Sequence, residues 1–409
     1  MYTLGHTSVT TYVTQRAEIN LITRLLKEPY FRETGIHRRI AAYPNAHVAD
    51  KNKIITFLMK HLWEKGELTD AFRAFDYFLA AAGARGHFMH QFEVFLLGMN
   101  IILKLQDTGH SLKDIFGFDD IDRIIYCWLL TSSAHDQGYP LQSLDDVLKE
   151  IGDLYAKIKM EQLSESFRSL EMPRLLKDPE FAKLFIHEHV GGELTADFKI
   201  GDILYAEIIK SLEISPAEET HVAELQKKLI RKVNHGYVSS VLLCKAIINE
   251  LLEKETPSEV EKNWKYRALC RAMAGISLHA LKIDDKDPAK DDSFIISKIS
   301  FNKNPYAYLL FVVDNIQDWG RGLFPDVKDE WPEYILDDFK TTDRDIVLDY
   351  RIEHETWAPE INNKVDNYLK EKREMLQTPV KTDPKLGIDI TLNFTSNIGK
   401  LYDPIILNI

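Results

Sequence analysis

The stretch "SSAHDQGYP", residues 132–140, sets a histidine directly before an aspartate at the end of an apolar run, just ahead of a glycine and a proline. A single His-Asp pair is ordinary and usually marks a helix cap or a surface turn. It gains meaning only if the remaining donors of a metal site lie elsewhere in the chain. Upstream, Ile121, Ile124 and Trp128 share one face of a helix spaced over 119–134, and His135 continues that face at its C-terminal end. Asp136 follows at once, so both side chains can aim into one cavity, while Gly138-Tyr139-Pro140 turn the chain away.

Four further positions repeat the theme. His90 lies on a helical face with Val94 and Leu97. His235 heads a helix with Val238, Ser239 and Leu242 on its side. His279 has Gly275, Ala272 and Ala268 behind it, small residues that let another helix approach closely. Asp314 sits in "NPYAYLLFVVDNIQDWGRG", where Asn304 suits an N-cap and Pro305 a first turn, with Leu310 and Phe311 on its own face. A carboxylate in so apolar a setting is costly unless paired or metal-bound. Taken singly, each histidine reads as a hydrogen-bonded core residue and Asp314 as a buried salt-bridge partner. Taken in order, four imidazoles and two carboxylates without a thiolate suit Fe, Mn, Co, Ni or Zn over Cu(I). They suffice for two ions, with Asp136 between them.

The bulk of the chain fits a soluble protein. It has 409 residues, 45% hydrophobic and 28% charged, with a net charge of -12. That charge repels phosphate backbones and argues against non-specific nucleic-acid binding. No apolar run approaches membrane-spanning length, and the N-terminal MYTLGHTSVTTYV has no basic segment leading into an apolar one, so a cytoplasmic location is expected. Cys127, Cys244 and Cys270 fall in apolar helical patterns and read as buried thiols.

Helical periodicity dominates residues 1–325, clearest over 53–64, 70–83, 87–106, 119–134, 146–160, 219–233, 235–254, 261–282 and 305–319. Beyond about 330 the pattern changes. "RDIVLDYRIEHE" alternates like a strand, "NNKVDNYLKEKREML" is a polar helix and "LGIDITLNFTS" alternates again, a β-α-β order. The expected fold class is mainly α, with a small C-terminal α/β appendage over 330–409.

The ordered donors resemble the HD-domain superfamily of metal-dependent phosphohydrolases. "RGHFMHQFEVFLLG" is similar to the family's first motif, with His90 as its ligand, His135-Asp136 to its His-Asp motif, and Asp314 to its last aspartate. His235 and His279 resemble the additional histidines of two-metal members. The resemblance implies an HD-domain helical bundle over 80–325, an N-terminal helical segment 1–79 packed on it, and an insertion at about 150–220. It implies two divalent transition ions (Mn, Fe, Co or Ni, with Mg or Zn as other candidates) held by His90, His135, Asp136, His235, His279 and Asp314. It further implies hydrolysis of a phosphoester or phosphoanhydride by a metal-activated water, with His135 and Asp136 catalytic and a nucleotide as the substrate class. Arg85 and Arg321 are candidate phosphate contacts, Arg321 by its +7 spacing from Asp314; each reads more readily as a surface charge. His87 is a candidate substrate contact or outer ligand, and Tyr139 and Trp319 are candidates to stack on a base.

Two departures stand out. "HDQGYPLQ" lacks the lysine that many family members carry after His-Asp, and "FIHEHVGG" brings an extra His187-x-His189 pair that reads as lid or pocket rim, with a metal-ligand pair as the alternative. The same ligand order also occurs in HD-type di-iron oxygenases, and a nucleotide-binding regulator, including a homo-oligomeric one, is a third reading.

Overall fold

The computed structural model describes residues 13–32, 34–65, 85–138, 207, 211, 235–252, 254–260, 262–279, 299–317, 332–377, 380–381 and 386–408. The helices are α1 (Gln15–Thr23), α2 (Thr34–Ala42), α3 (Val48–Lys65), α4 (Arg85–Asp107), α5 (Leu112–Phe116), α6 (Ile121–Ala134), α7 (His235–Leu252), α8 (Trp264–His279), α9 (Pro305–Ile316) and α10 (Pro359–Gln377). The strands are β1 (Ile299–Ser300), β2 (Glu333–Thr341), β3 (Asp345–Glu353), β4 (Val380–Lys381), β5 (Asp389–Ser396) and β6 (Ile405–Asn408). The fold is mainly helical with a small C-terminal α/β part, as the periodicity predicts. The expected helices over 70–83, 146–160 and 219–233 lie outside the described residues.

Local chemistry starts and stops the helices near the site. Asp120 caps α6 by accepting from the Asp122 N–H at 2.9 Å. Asn304 caps α9 by accepting from the Ala307 N–H at 3.1 Å, with Pro305 in the first turn. Helix α9 ends at Ile316, and Gln317 leaves helical geometry at ψ 89°. The sequence pattern had carried this helix to 319. Arg321, placed by its +7 spacing from Asp314, lies outside the described residues.

Helix α8 packs against α6, α7 and α9, and α4 packs against α3, α6 and α9. Close approach depends on small residues. A Cβ on Gly98 of α4 would stand 2.0 Å from the Trp128 ring, whose Nε1–H donates to Phe95 O at 2.9 Å. A Cβ on Gly275 of α8 would stand 3.1 Å from Ala307 Cα, the close helix–helix contact that the small-residue stripe anticipates.

The C-terminal sheet runs β2-β3-β5-β6, with β3 and β5 parallel and the outer pairs antiparallel. Helix α10 is the crossover that a parallel pair requires. It buries Ile361, Val365, Leu369 and Leu376, positions at helical spacing. The alternation of β3 buries Ile346, Leu348, Tyr350 and Ile352, and β5 adds Ile390, Leu392 and Phe394 to the core. This part is stitched to the helices. Tyr350 Oη donates to Ile316 O at 2.6 Å, His110 Nε2 lies 2.7 Å from Leu386 O, and Lys104 Nζ donates to Thr342 O. At the other edge Val13 bridges Leu336, and Thr14 donates through N–H to Leu336 O and through Oγ1 to Asp337 O. One continuous apolar core reaches from Val13 to Leu407. No described helix is long and apolar enough to cross a membrane.

Candidate metal centre

The six donors converge. His135 is the C-cap of α6 and Asp136 follows it; His235 is the first residue of α7, His279 the last of α8. His90 lies within α4 and Asp314 near the end of α9. His90 Nε2 is 3.1 Å from His135 Nε2 and 3.1 Å from Asp314 Oδ1, and His135 Nε2 is 3.6 Å from Asp314 Oδ1. The rings of His135 and His279, and of His279 and His235, stand edge to face at 5.0 and 5.2 Å.

Asp136 divides this cluster. Its Oδ2 faces His90 and His135, at 3.4 and 3.3 Å from their Nε2 atoms. Its Oδ1 faces His235 and His279, at 3.8 and 3.9 Å. Two donor groups, His90-His135-Asp314 and His135-Asp136-His279, each bring their ligand atoms within 4.8 Å of one another.

The orientation of the rings favours a cation. His135 Nδ1 and His279 Nδ1 lie 2.7 and 2.5 Å from the carbonyls of Ser132 and Ile276. A carbonyl only accepts, so these nitrogens carry a proton and the Nε2 atoms point inward, free to bind a cation once deprotonated. His90 Nδ1 lies 2.5 Å from Gln317 Oε1, and Gln317 Nε2 donates to Glu93 Oε2 at 2.8 Å. Lone pairs of His90 and His135 facing each other at 3.1 Å repel unless a proton or a cation lies between. His279 Nε2 is buried without a hydrogen-bond partner among the described residues. A buried orphan nitrogen and an all-N/O donor set fit a divalent transition ion.

Protonation in the metal-free centre follows the same geometry. Burial lowers the His135 pKa, but Asp136 and Asp314 raise it more, up to about 10. Burial and then the neighbouring His279 bring His235 down to about 3. The ligands differ in exposure. His90, His235 and Asp314 side chains keep 11, 13 and 14% exposure, against 0 and 2% for His135 and His279.

The backbone is fastened around the ligands. Ser239 of α7 donates from Oγ to His135 O at 2.8 Å and accepts the Gly138 N–H at 2.7 Å, locking the helix of His235 to the His-Asp turn. Ser240 donates to the carbonyls of Gly236 and Met273 and meets Ser277, joining α7 to α8 behind the ligands.

All six expected metal ligands are therefore gathered at one centre. Arg85 and His87 lie in the first turn of α4, with side chains outside the described residues, as are Tyr139, Trp319, Arg321, His187 and His189. The expected insertion at 150–220 is likewise outside them, except for Glu207 and Ser211, the latter buried and accepting from Asn304. Sequence reasoning missed Glu93 and Gln317. A signal existed, since each stands three residues after a ligand, one helical turn from His90 and Asp314. No protein-family model, no curated protein and no solved structure matches the chain.

Proposed function

We propose that this protein is a metal-dependent phosphohydrolase of HD-domain type, acting on a nucleotide or another phosphoester. The observation that carries the reading is the division of the Asp136 carboxylate, one oxygen toward His90 and His135, the other toward His235 and His279. That arrangement suits two cations sharing one carboxylate. His90, His135 and Asp314 would hold one, and His235 and His279 the other. When bound, such ions supply Lewis acidity and lower the pKa of a coordinated water.

The chain's own groups do the rest. Four neutral imidazoles and two carboxylates would not fully neutralise two divalent ions, so the loaded centre would be a positive well in an acidic protein. An anionic phosphate is drawn to such a well and a neutral substrate is not. A substrate would meet His90, His235 and Asp314 first, the ligands that keep some exposure. Ser239 and the Nδ1 contacts hold the donors in place, so little reorganisation accompanies binding.

Elemental analysis of wild type and Asp136→Ala, purified without added metal or chelator, tests the reading. About two transition ions per chain, mostly lost in the variant, are expected. Hydrolysis of bis-p-nitrophenyl phosphate and of a nucleotide panel with Mn, Fe, Co and Ni then tests the reaction class. Absence of uptake of any of these ions would overturn the proposal. Turnover that requires O2 and releases no phosphate would move the chemistry to oxidation.

A further inference from the structure

We propose that Glu93, acting through Gln317, sets the tautomer of His90 and so keeps its Nε2 lone pair aimed into the centre. The inference rests on the metal-centre reading above.

A neutral imidazole carries one N–H, and a ligand nitrogen must be the other one. His135 and His279 solve this with backbone alone. Each stands at the C-terminal end of its helix, where the last carbonyls lack an intrahelical donor, and each gives its Nδ1–H to the carbonyl three residues back. His90 has no such recourse. It is in the body of α4, where the nearby carbonyls already serve the helical ladder. Its Nδ1–H therefore needs a side-chain acceptor, and Gln317 Oε1 is 2.5 Å away.

An amide is an ambiguous acceptor, because either its oxygen or its NH2 can face the ring. Glu93 removes the ambiguity. A carboxylate only accepts, so Gln317 must turn Nε2 toward Glu93 Oε2, at 2.8 Å, which leaves Oε1 for His90. His90 and Glu93 are three residues apart on α4 and grip the amide between them. Gln317 is fully buried and Glu93 nearly so, which leaves little room for water to take over either role. Gln317 directly follows α9 and gives its own N–H to Val313 O, so the relay also ties His90 to the helix that carries Asp314. Glu93 and Gln317 are positioning residues; neither needs to touch substrate.

The test is a charge swap. In E93Q the residue at 93 can donate or accept, Gln317 is free to flip, and His90 can take the Nε2–H form. In Q317E two carboxylates oppose each other. In the double variant E93Q/Q317E the carboxylate at 317 accepts from both His90 and the amide at 93, and the polarity of the relay is restored. Gln317→Met, of similar length without the amide, is a further single variant. Nitrogen-15 NMR of histidine-labelled, chelator-treated protein reads the His90 tautomer, and competition with a chromophoric chelator reads Zn2+ affinity. Wild type should show Nδ1–H. E93Q and Q317M should populate Nε2–H and bind one Zn2+ about 10–100-fold more weakly, and the swap should restore both readouts. An unchanged tautomer and affinity in E93Q would overturn the proposal. So would a folded double variant as impaired as the singles, which would mean that packing and not polarity matters. If wild type takes up no ion, the metal-centre reading falls, and the NMR pattern alone decides whether Glu93 orients His90.

Discussion

Gly138 lies so close to His235 that a Cβ at 138 would stand 2.2 Å from the His235 carbonyl oxygen. The contact is with backbone, so no side-chain rotation relieves it. It joins the turn after His135-Asp136 to the start of α7, which brings the two halves of the donor set together. Gly138→Ala must push them apart. It should cost about 1–3 kcal/mol of stability and weaken binding of the ion proposed for His235 and His279 by at least about tenfold. Gly387→Ala is the control. Its φ of +70° is strained for alanine, yet nothing lies within 4 Å, so it should lower the melting temperature and leave metal content alone. Equal metal loss in both variants would refute the argument.

Metal loading should release a proton. In the metal-free protein His135 has a pKa of about 10, against an ordinary value of 6.5, and is charged at pH 7. A ligand must be neutral, so binding at pH 7 expels that proton. Calorimetry in buffers of different ionisation enthalpy should report about one proton released per chain, and affinity should rise about tenfold per pH unit between 7 and 9. Stability follows with a fixed sign. The raised His135 pKa stabilises the metal-free fold fully below pH 6.5, and this is lost as pH climbs from 6.5 toward 10. The lowered His235 pKa acts oppositely: its contribution is present above 6.5 and is lost as pH falls from 6.5 toward 3. Metal-free protein should therefore melt at lower temperature on both sides of neutrality, and the alkaline loss should vanish once metal is bound. Binding without proton release would contradict the assignment of charge to His135.

How much of this was legible in the sequence depends on how local each signal was. The donors could be read because each sits on an apolar helical face or at a helix end, where an isolated polar group is conspicuous. Strands β3 and β5 could be read from strict alternation. Strand β2 could not, because its register shifts between Leu336 and Asp338, beside the Asp337-Asp338 pair, and breaks the period. Strand β6 has only four residues. The pairing of Val13 with Leu336 spans most of the chain and leaves no local trace. Glu93 and Gln317 were overlooked for a similar reason: an acidic residue on a helix and a glutamine after one are ordinary until the fold presses them together.

The three cysteines should be inert in the native protein. All are buried and outside any disulfide, and burial pushes the Cys127 thiol from 9.0 to about 12 and raises Cys244 as well. For Cys127 this cuts the thiolate fraction at neutral pH by about a thousandfold, before access is considered. A thiol-reactive chromophore should find almost none of the 3 thiols in native protein and all of them in guanidinium chloride. Rapid native labelling of even one would show that its helix opens.

Removing residues 330–409 should abolish folding, although the sequence presents them as an appendage. The sheet shares one core with the helices, its β2 edge is closed by Val13, and Tyr350 Oη satisfies the carbonyl of Ile316, two residues from Asp314. Without it the apolar faces of α1 and α9 lose their cover, and that carbonyl loses its donor. The truncated chain should bind a hydrophobic dye, lack a cooperative melt and retain no metal. Tyr350→Phe isolates the hydrogen bond: the ring stays, the donor goes, and the cost should be about 1 kcal/mol, with metal stoichiometry intact. A truncated chain that melts cooperatively with full metal content would instead establish the sheet as a separate module.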